Sequence, residues 1–178
     1  MEKTEYEARI LKINPNDFIA KLESLGATKE DDYHYRRYVY SFHPKVYEKW
    51  IRLRTNGKKT TLTIKELKDH SIGGTKEKEV VVSDFDMTNE ILKDLGYEPE
   101  CYQENKRTRY HLNGVEIDID SWPRIPPYVE IEGSSEEEVI LTAEKLGFSK
   151  EDLITLDVEN IFRQIYHIDI STIPVLKF

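Results

Sequence analysis

Strict alternation of charged and apolar residues is the feature that most constrains this fold. In TEYEARI, residues 4–10, Glu5, Glu7 and Arg9 alternate with apolar or aromatic residues. Successive side chains of a β-strand point to opposite faces, so this period of two predicts a strand with one charged face and one apolar face. The same period recurs in seven further segments: residues 35–42, 49–55, 60–67, 76–84, 105–112, 115–120 and 128–133. Eight strands are therefore predicted.

Helical segments interrupt these strands. Three of them end in Leu-Gly, and Gly26, Gly96 and Gly147 suit the left-handed position that follows a helix. Asn14-Pro15 is typical of the start of the first helix. A fourth helix is predicted over residues 157–166. Because strands come in runs with helices inserted between them, the pattern indicates an α+β fold with a mainly antiparallel sheet.

One phase of the strands collects basic and acidic residues. Its members are Glu5, Glu7, Arg9, Arg36, Arg52, Arg54, Lys65, Glu77, Glu79, Arg107, Arg109, Asp118, Asp120, Glu130 and Glu132. Each charged face could be an ordinary solvated surface of an antiparallel sheet. Alternatively, the sheet could close with its charged faces inward while helices cover the apolar faces. The periodicity permits both arrangements.

These residue types suit a metal–polyphosphate ligand. Arginine binds phosphate oxygens bidentately and lysine adds a compact positive charge. Carboxylates supply the hard oxygen ligands that Mg²⁺ and Mn²⁺ prefer. The sequence has neither a Walker-type glycine-rich loop nor an HExxH zinc motif. Basic side chains, rather than backbone amides, would therefore have to hold the phosphates.

Length and composition narrow the class of protein. A chain of 178 residues is long enough for one domain, predicted over residues 1–178. The net charge of -8 disfavours nonspecific nucleic-acid binding. No stretch approaches the roughly 20 apolar residues of a membrane span, and no signal peptide is apparent. The single cysteine, Cys101, excludes an internal disulfide and favours the cytoplasm. We expect no nucleic-acid or membrane partner, and either a monomer or a homodimer.

The motif EYEAR, residues 5–9, resembles the E-x-E-x-K signature of the CYTH superfamily, also called triphosphate tunnel metalloenzymes. Six further motifs resemble that family in the family's order: WIRLR (50–54), TLTIK (61–65), EKE (77–79), KRTR (106–109), EIDID (116–120) and YVEIEG (128–133). Each motif alone is weak, but seven in order across most of the chain make the resemblance specific.

This resemblance implies an α+β fold in which an eight-stranded antiparallel β-barrel forms a tunnel flanked by helices. It implies a small-molecule triphosphate substrate bound by Arg36, Arg52, Arg54, Lys65, Arg107 and Arg109. It also implies a divalent metal, Mg²⁺ or Mn²⁺, held by Glu5, Glu7, Glu130 and Glu132 with Asp118 and Glu79 assisting. The candidate catalytic residues are Arg9, Lys65 and Asp118.

Arg9 departs from the signature, which has lysine at this position. Burial can lower the pKa of a lysine, whereas arginine keeps its proton with a pKa above ~12. Arg9 can therefore orient water or phosphate, but it cannot serve as a general base.

Three functions are compatible with these residues. The favoured one is a metal-dependent triphosphatase acting on inorganic triphosphate, thiamine triphosphate or a nucleoside triphosphate. It is favoured because the charged residues suit binding of a triphosphate, and no residue is identified that would recognise adenine. The second is a class IV-type adenylyl cyclase that makes cyclic AMP and pyrophosphate from ATP. The third is a non-catalytic binder of polyphosphate or nucleotide, for which Arg9 is a small argument.

Overall fold

The computed structural model describes residues 2–178; Met1, the first residue of the predicted domain, lies outside them. Within the described residues the strands are β1 (Lys3–Ile10), β2 (Thr28–Ser41), β3 (Lys49–Thr55), β4 (Thr60–Leu67), β5 (Thr75–Val82), β6 (Cys101–Leu112), β7 (Val115–Ser121), β8 (Tyr128–Gly133) and β9 (Val175–Leu176). The α-helices are α1 (Pro15–Ser24), α2 (Phe85–Asp94), α3 (Glu136–Leu146) and α4 (Val158–Asn160), and α4 continues as a π-helical stretch, Ile161–Ile165. All eight predicted strands are confirmed.

Eight strands close into a barrel. Their order is β2-β3-β4-β5-β1-β8-β7-β6, and β6 pairs again with β2. Each of these pairings is antiparallel. Strand β9 adds to β6 in parallel through Tyr102 and Val175. The predicted closed antiparallel barrel with flanking helices is therefore confirmed, and closure leaves the barrel strands few free edges.

Apolar residues of the barrel face outward, against the helices. Val139 and Ala143 of α3 pack with Ala8 of β1 and Ile117 of β7, and all four side chains are at most 1% exposed. A second outer cluster places α2 over β2 and β3. Because the helices occupy the outside of the barrel, the charged phase is left to the interior. Of the two arrangements that the periodicity permits, the inward one is therefore present.

Strand β5 is an exception to this covering. Val80, on the outward phase, is 56% exposed. Val82, the next residue on that phase, is half-buried and packs against the cluster around α2. The outward phase of β5 is therefore covered only in part.

Local sequence signals set the helix ends as predicted. The Asn14 side chain accepts hydrogen bonds from the backbone N–H groups of Asn16 and Asp17. Gly147 adopts a φ of 94° directly after α3, in the left-handed region that glycine enters without steric cost.

The C-terminal segment packs against one end of the barrel. Ile161 and Phe162 are fully buried in a cluster with Trp122 and Tyr128. The predicted fourth helix is confirmed in position, although only three of its residues are α-helical. Ile165, near the end of this segment, is 37% exposed. No helix within residues 2–178 has the length and apolar content needed to cross a membrane.

Candidate active site

The barrel encloses a cavity of about 1240 Å³ that is lined by side chains from all eight barrel strands. The predicted site residues that line it are Glu5, Glu7, Arg9, Arg52, Arg54, Lys65, Glu79, Arg107, Arg109, Glu130 and Glu132. Closure of the barrel thus brings together residues that lie far apart in sequence. Two predicted residues, Arg36 and Asp118, do not line the cavity.

The prediction for Arg36 is wrong in its placement. Tyr38 and Tyr40 pack outward against α2, and Arg36 shares their side of β2. Its guanidinium is exposed and lies over the ring of Phe85, 5.1 Å from the ring centroid. The adjacent Arg37 instead points inward, lines the cavity and is only 7% exposed.

Asp118 lies behind the cavity wall and is 2% exposed. It accepts hydrogen bonds from Arg107 Nη1 at 2.5 Å, from Arg109 Nε at 2.8 Å and from Arg109 Nη2 at 2.7 Å. The structure therefore favours a positioning role for Asp118 over the predicted metal-binding and catalytic roles.

The four carboxylates predicted to bind metal lie on the neighbouring strands β1 and β8, where Glu7 is opposite Glu132 and Arg9 is opposite Glu130. Lys65 Nζ contacts both carboxylate oxygens of Glu5, at 2.7 and 2.8 Å. Glu132 accepts from Lys3 at 2.7 Å.

Arg9 bridges the remaining two carboxylates. Its Nη2 lies 2.8 Å from Glu7 and 2.6 Å from Glu130, and Arg107 adds a contact of 3.0 Å to Glu130. Each of these buried carboxylates therefore already has a cationic partner.

The environment separates the protonation behaviour of these two carboxylates. Burial raises the pKa of Glu7, and nearby Glu130 adds to the rise, although Arg9 opposes it. Burial also acts to raise the pKa of Glu130, but Arg9 and Arg107 outweigh it and hold that pKa well below its ordinary value. Glu7 is consequently the less compensated of the two negative charges.

Arg37 and Arg54 form a pair of cationic side chains on the part of the cavity wall built by β2 and β3, away from the carboxylates of β1 and β8. They are directly opposite each other on β2 and β3. Arg54 stacks over Tyr35 and Arg37 over Trp122, both with 4.6 Å to the ring centroid. Among the described residues neither arginine has a carboxylate in ion-pair contact, whereas Arg52 lies 3.7 Å from Glu79.

Burial lowers the pKa of Arg54 to about 10, and the charges of Arg52 and Arg107 add to the effect. Burial, followed by the charges of Arg54 and Arg52, also holds the pKa of Arg37 well below its ordinary value. Within residues 2–178 the Nε atoms of Arg37 and Arg52 and the hydroxyl of Thr61 have no hydrogen-bond partner. The unpaired charges of Arg37 and Arg54, together with the spare donors of Arg37 and Arg52, make this part of the wall well suited to an anion.

The donor chemistry of the carboxylates fits a hard divalent cation, because all their ligand atoms are oxygens. However, residues 2–178 contain no preassembled group of three or more histidine, cysteine, aspartate or glutamate side chains arranged for a metal. The site therefore has suitable ligands, but they are engaged by Arg9 and Lys65.

Sequence reasoning missed two residues of the site: Arg37, which lines the cavity, and Asn105, which lies behind its wall. Asn105 is fully buried, donates to Asp120 at 2.9 Å and accepts a hydrogen bond from Arg37. It shares the phase of Arg107, so alternation alone could have found it. Arg37 could have been found from the aromatic phase Tyr38-Tyr40-Phe42, which marks the outward face of β2.

Comparisons with known proteins agree with this architecture. The CYTH domain model matches residues 3–159. The chain therefore belongs to the CYTH family, whose members are generally divalent-metal-dependent triphosphatases or cyclases. No curated protein matches the chain.

Solved structures give the same picture of the fold. A conserved hypothetical protein from Pyrococcus furiosus is 26% identical with a TM-score of 0.76, and the match covers 87% of this chain and 98% of the other. A protein from Pyrococcus horikoshii is 25% identical with a TM-score of 0.75, covering 86% and 96%. A Hippeastrum protein, described as a putative adenylyl cyclase with a dominant triphosphatase activity, is 16% identical with a TM-score of 0.60, covering 92% and 96%.

Proposed function

We propose that this protein is a divalent-metal-dependent hydrolase of a small-molecule triphosphate: inorganic triphosphate, thiamine triphosphate or a nucleoside triphosphate. The observation that carries the proposal is the pair Arg37–Arg54 in the barrel cavity, whose other wall bears acidic residues. Arg37 is buried and Arg54 half-buried, and within residues 2–178 neither has a carboxylate in ion-pair contact. In this proposal a bound polyanion neutralises the charges of the arginines. A divalent cation bound to that polyanion neutralises the charges of the acidic residues on the other side of the cavity.

In this proposal Arg37, Arg52 and Arg54 bind phosphate oxygens through bidentate, charge-assisted hydrogen bonds. Preorganised cations of this kind stabilise the charge of a transferring phosphoryl group. Arg107 and Arg109 are fixed by Asp118, so they present guanidinium groups in one orientation. The orientation of these two side chains is thus fixed before a substrate binds.

Glu5, Glu7, Glu130 and Glu132 are the residues that would hold Mg²⁺ or Mn²⁺. When bound, such a metal neutralises phosphate charge and orients the substrate. Arg9 stays protonated, because Glu7 and Glu130 raise its pKa well above the ordinary value even though burial opposes them. It can therefore orient a phosphate or a water but cannot accept a proton.

Product analysis tests this function. The protein is incubated with Mn²⁺ and, separately, with inorganic triphosphate, thiamine triphosphate and ATP. Release of orthophosphate from at least one of them is expected. Formation of cyclic AMP and pyrophosphate from ATP would instead identify a cyclase, and tight binding without any product would identify a non-catalytic binder.

The carboxylates give the first mutational prediction. Glu7→Gln and Glu130→Gln are expected to lose most turnover while keeping the fold and part of the triphosphate binding, because an amide is a poorer ligand for a hard cation. Raising the Mn²⁺ concentration should partly restore activity. The measurement is turnover against Mn²⁺ concentration.

Glu66→Gln is the matched control, since Glu66 pairs with Lys49 and Lys68 on the outside of the barrel. Wild-type turnover that needs no metal, or variants that match the wild type at limiting metal, would contradict the role of these carboxylates.

A further inference from the structure

The guanidinium of Arg9 occupies the space between two carboxylates that are candidates for metal binding. Arg9 is 5% exposed. One terminal nitrogen, Nη2, contacts Glu7 at 2.8 Å and Glu130 at 2.6 Å. The other, Nη1, donates to the carbonyl oxygen of Leu156 at 2.9 Å. The group is therefore held from three directions.

The backbone of Arg9 is fixed as well. Its N–H donates to the carbonyl of Ile154 at 2.7 Å, and the N–H of Ile154 donates to the carbonyl of Arg9 at 2.8 Å. On the other side of β1, Arg9 is opposite Glu130 in the ladder with β8. Movement of the backbone would break this pairing, and movement of the guanidinium would break its contacts with Glu7, Glu130 and the Leu156 carbonyl. The positive charge of Arg9 is therefore held in the site.

Cationic side chains already engage both carboxylates in the absence of metal. Glu7 and Glu130 face Arg9, and Glu130 also contacts Arg107 at 3.0 Å. A divalent cation entering here would lie beside two fixed guanidinium groups, and like charges at such distances repel strongly in a buried site. A polyanion bound at Arg37 and Arg54 adds negative charge to the same cavity and removes that obstacle.

We propose that Arg9 is a resident counter-cation that keeps Glu7 and Glu130 from taking up a divalent metal in the free protein, so that metal enters only together with a polyanion. Arg9 thus determines the order of binding. The identity of the polyanion as a triphosphate rests on the proposed function, whereas the exclusion of free metal does not.

Arg9→Lys is the informative variant. Lysine keeps the charge, but it has a single nitrogen where Arg9 uses two, so it cannot hold both carboxylates and the Leu156 carbonyl in the same way. Loss of charge-assisted hydrogen bonds of this kind corresponds to a change of about tenfold or more in a competing equilibrium. Arg36→Lys is the matched control, because Arg36 lies on the outside of the barrel.

The experiment measures Mn²⁺ binding to anion-free protein from the paramagnetic resonance signal of unbound Mn²⁺. Wild type and Arg36→Lys are expected to bind Mn²⁺ weakly and equally, and Arg9→Lys at least about tenfold more tightly. Wild-type protein is also titrated with a preformed Mn²⁺–triphosphate complex, which it is expected to bind.

Tight, micromolar binding of Mn²⁺ alone by the wild type would overturn the proposal, whether or not the variant folds. Equal Mn²⁺ affinity in folded Arg9→Lys and wild type would overturn it too. A protein that excludes free Mn²⁺ but hydrolyses no triphosphate would contradict the proposed function and leave the role of Arg9 intact, so the two failures are distinguishable.

Discussion

At the scale of single residues, the site turns on which of two adjacent arginines faces inward. Residues next to each other on a strand lie on opposite faces, so a shift of one position exchanges the cavity face for the outer face. In YRRYVYSF, residues 35–42, either Arg36 or Arg37 could lie on the cavity face, because both assignments fit a period of two. The packing of Tyr40 under α2 decides between them, and that contact depends on a helix far along the chain.

A comparison of one arginine on the cavity face with one on the outer face tests this assignment. Arg54→Ala is expected to weaken triphosphate binding by about 1.5–3 kcal/mol, the range for hydrogen bonds to charged groups. The fold should persist, because the change removes repulsion between Arg54 and Arg37. Titration calorimetry measures the affinity of each variant.

Arg36→Ala provides the comparison, since its side chain lies over Phe85 and does not line the cavity. Its affinity should equal that of the wild type. An unchanged affinity in Arg54→Ala, or an equal loss in both variants, would contradict the assignment of the inner face to phosphate.

At the scale of elements, the seam between β1 and β5 is the shortest barrel pairing, with three residue pairs from Lys3–Glu77 to Glu5–Thr75. It also holds two acidic side chains, Glu5 and Glu77, around Lys65, which lies 2.7 Å from the first and 3.9 Å from the second. Lys65 therefore neutralises mainly the charge of Glu5. The negative charge of Glu77 in the same seam is poorly compensated.

This imbalance predicts a pH-dependent stability. Burial and the charge of Glu5, opposed by Lys65, raise the pKa of Glu77 from 4.5 to about 7. Between these values the folded state binds a proton that the unfolded state does not, so this group's contribution to stability falls as pH rises. Glu77→Gln should therefore gain stability relative to the wild type as pH increases from about 5 to about 8.

Urea unfolding at several pH values measures this difference. Glu66→Gln is the control, because the hydrogen bond from Lys68 lowers the pKa of Glu66 and keeps it ionised throughout this range. Its stability difference from the wild type should be flat. A flat difference for Glu77→Gln as well would show that Glu77 is not raised by its surroundings.

At the scale of the whole molecule, the barrel reverses the usual arrangement, with charges inside and apolar residues outside. Alternation predicted the charged and apolar faces of the barrel strands except on β2, where Arg37 rather than Arg36 faces inward. The Leu-Gly endings predicted helices that cover the apolar faces. Which face turns inward could not follow from periodicity, because both topologies satisfy it. Nor could VEIDID show that Asp120 lines the cavity whereas Asp118 does not, because the two residues share one phase of the strand.

The C-terminal segment supplies a test of whether residues 1–178 form one cooperative domain, as predicted. Phe162 is fully buried and contacts Trp122 edge-on, with ring centroids 6.0 Å apart. Phe162→Ala should cost about 3–5 kcal/mol, the range for truncating a buried aromatic residue. Tryptophan fluorescence and circular dichroism should report the same urea midpoint, since Trp122 unfolds with the barrel.

Ile165→Ala is the control for Phe162→Ala, because its side chain is 37% exposed. Its stability should lie within about 0.5 kcal/mol of the wild type. Two separate transitions, or equal losses in the two variants, would indicate that the segment folds independently of the barrel.

Strand β1 pairs with β5 and β8, and β8 is the last barrel strand to be synthesised. A nascent chain therefore carries β1 with both edges open until β5 forms, and with one edge open until β8 leaves the ribosome. Non-local pairing of this kind makes folding slow, because the loop between the partners must close first. Glu7 and Glu130 meet only at that final step. A chain truncated before β8 would therefore be unable to assemble this acidic wall, whatever metal or phosphate surrounds it.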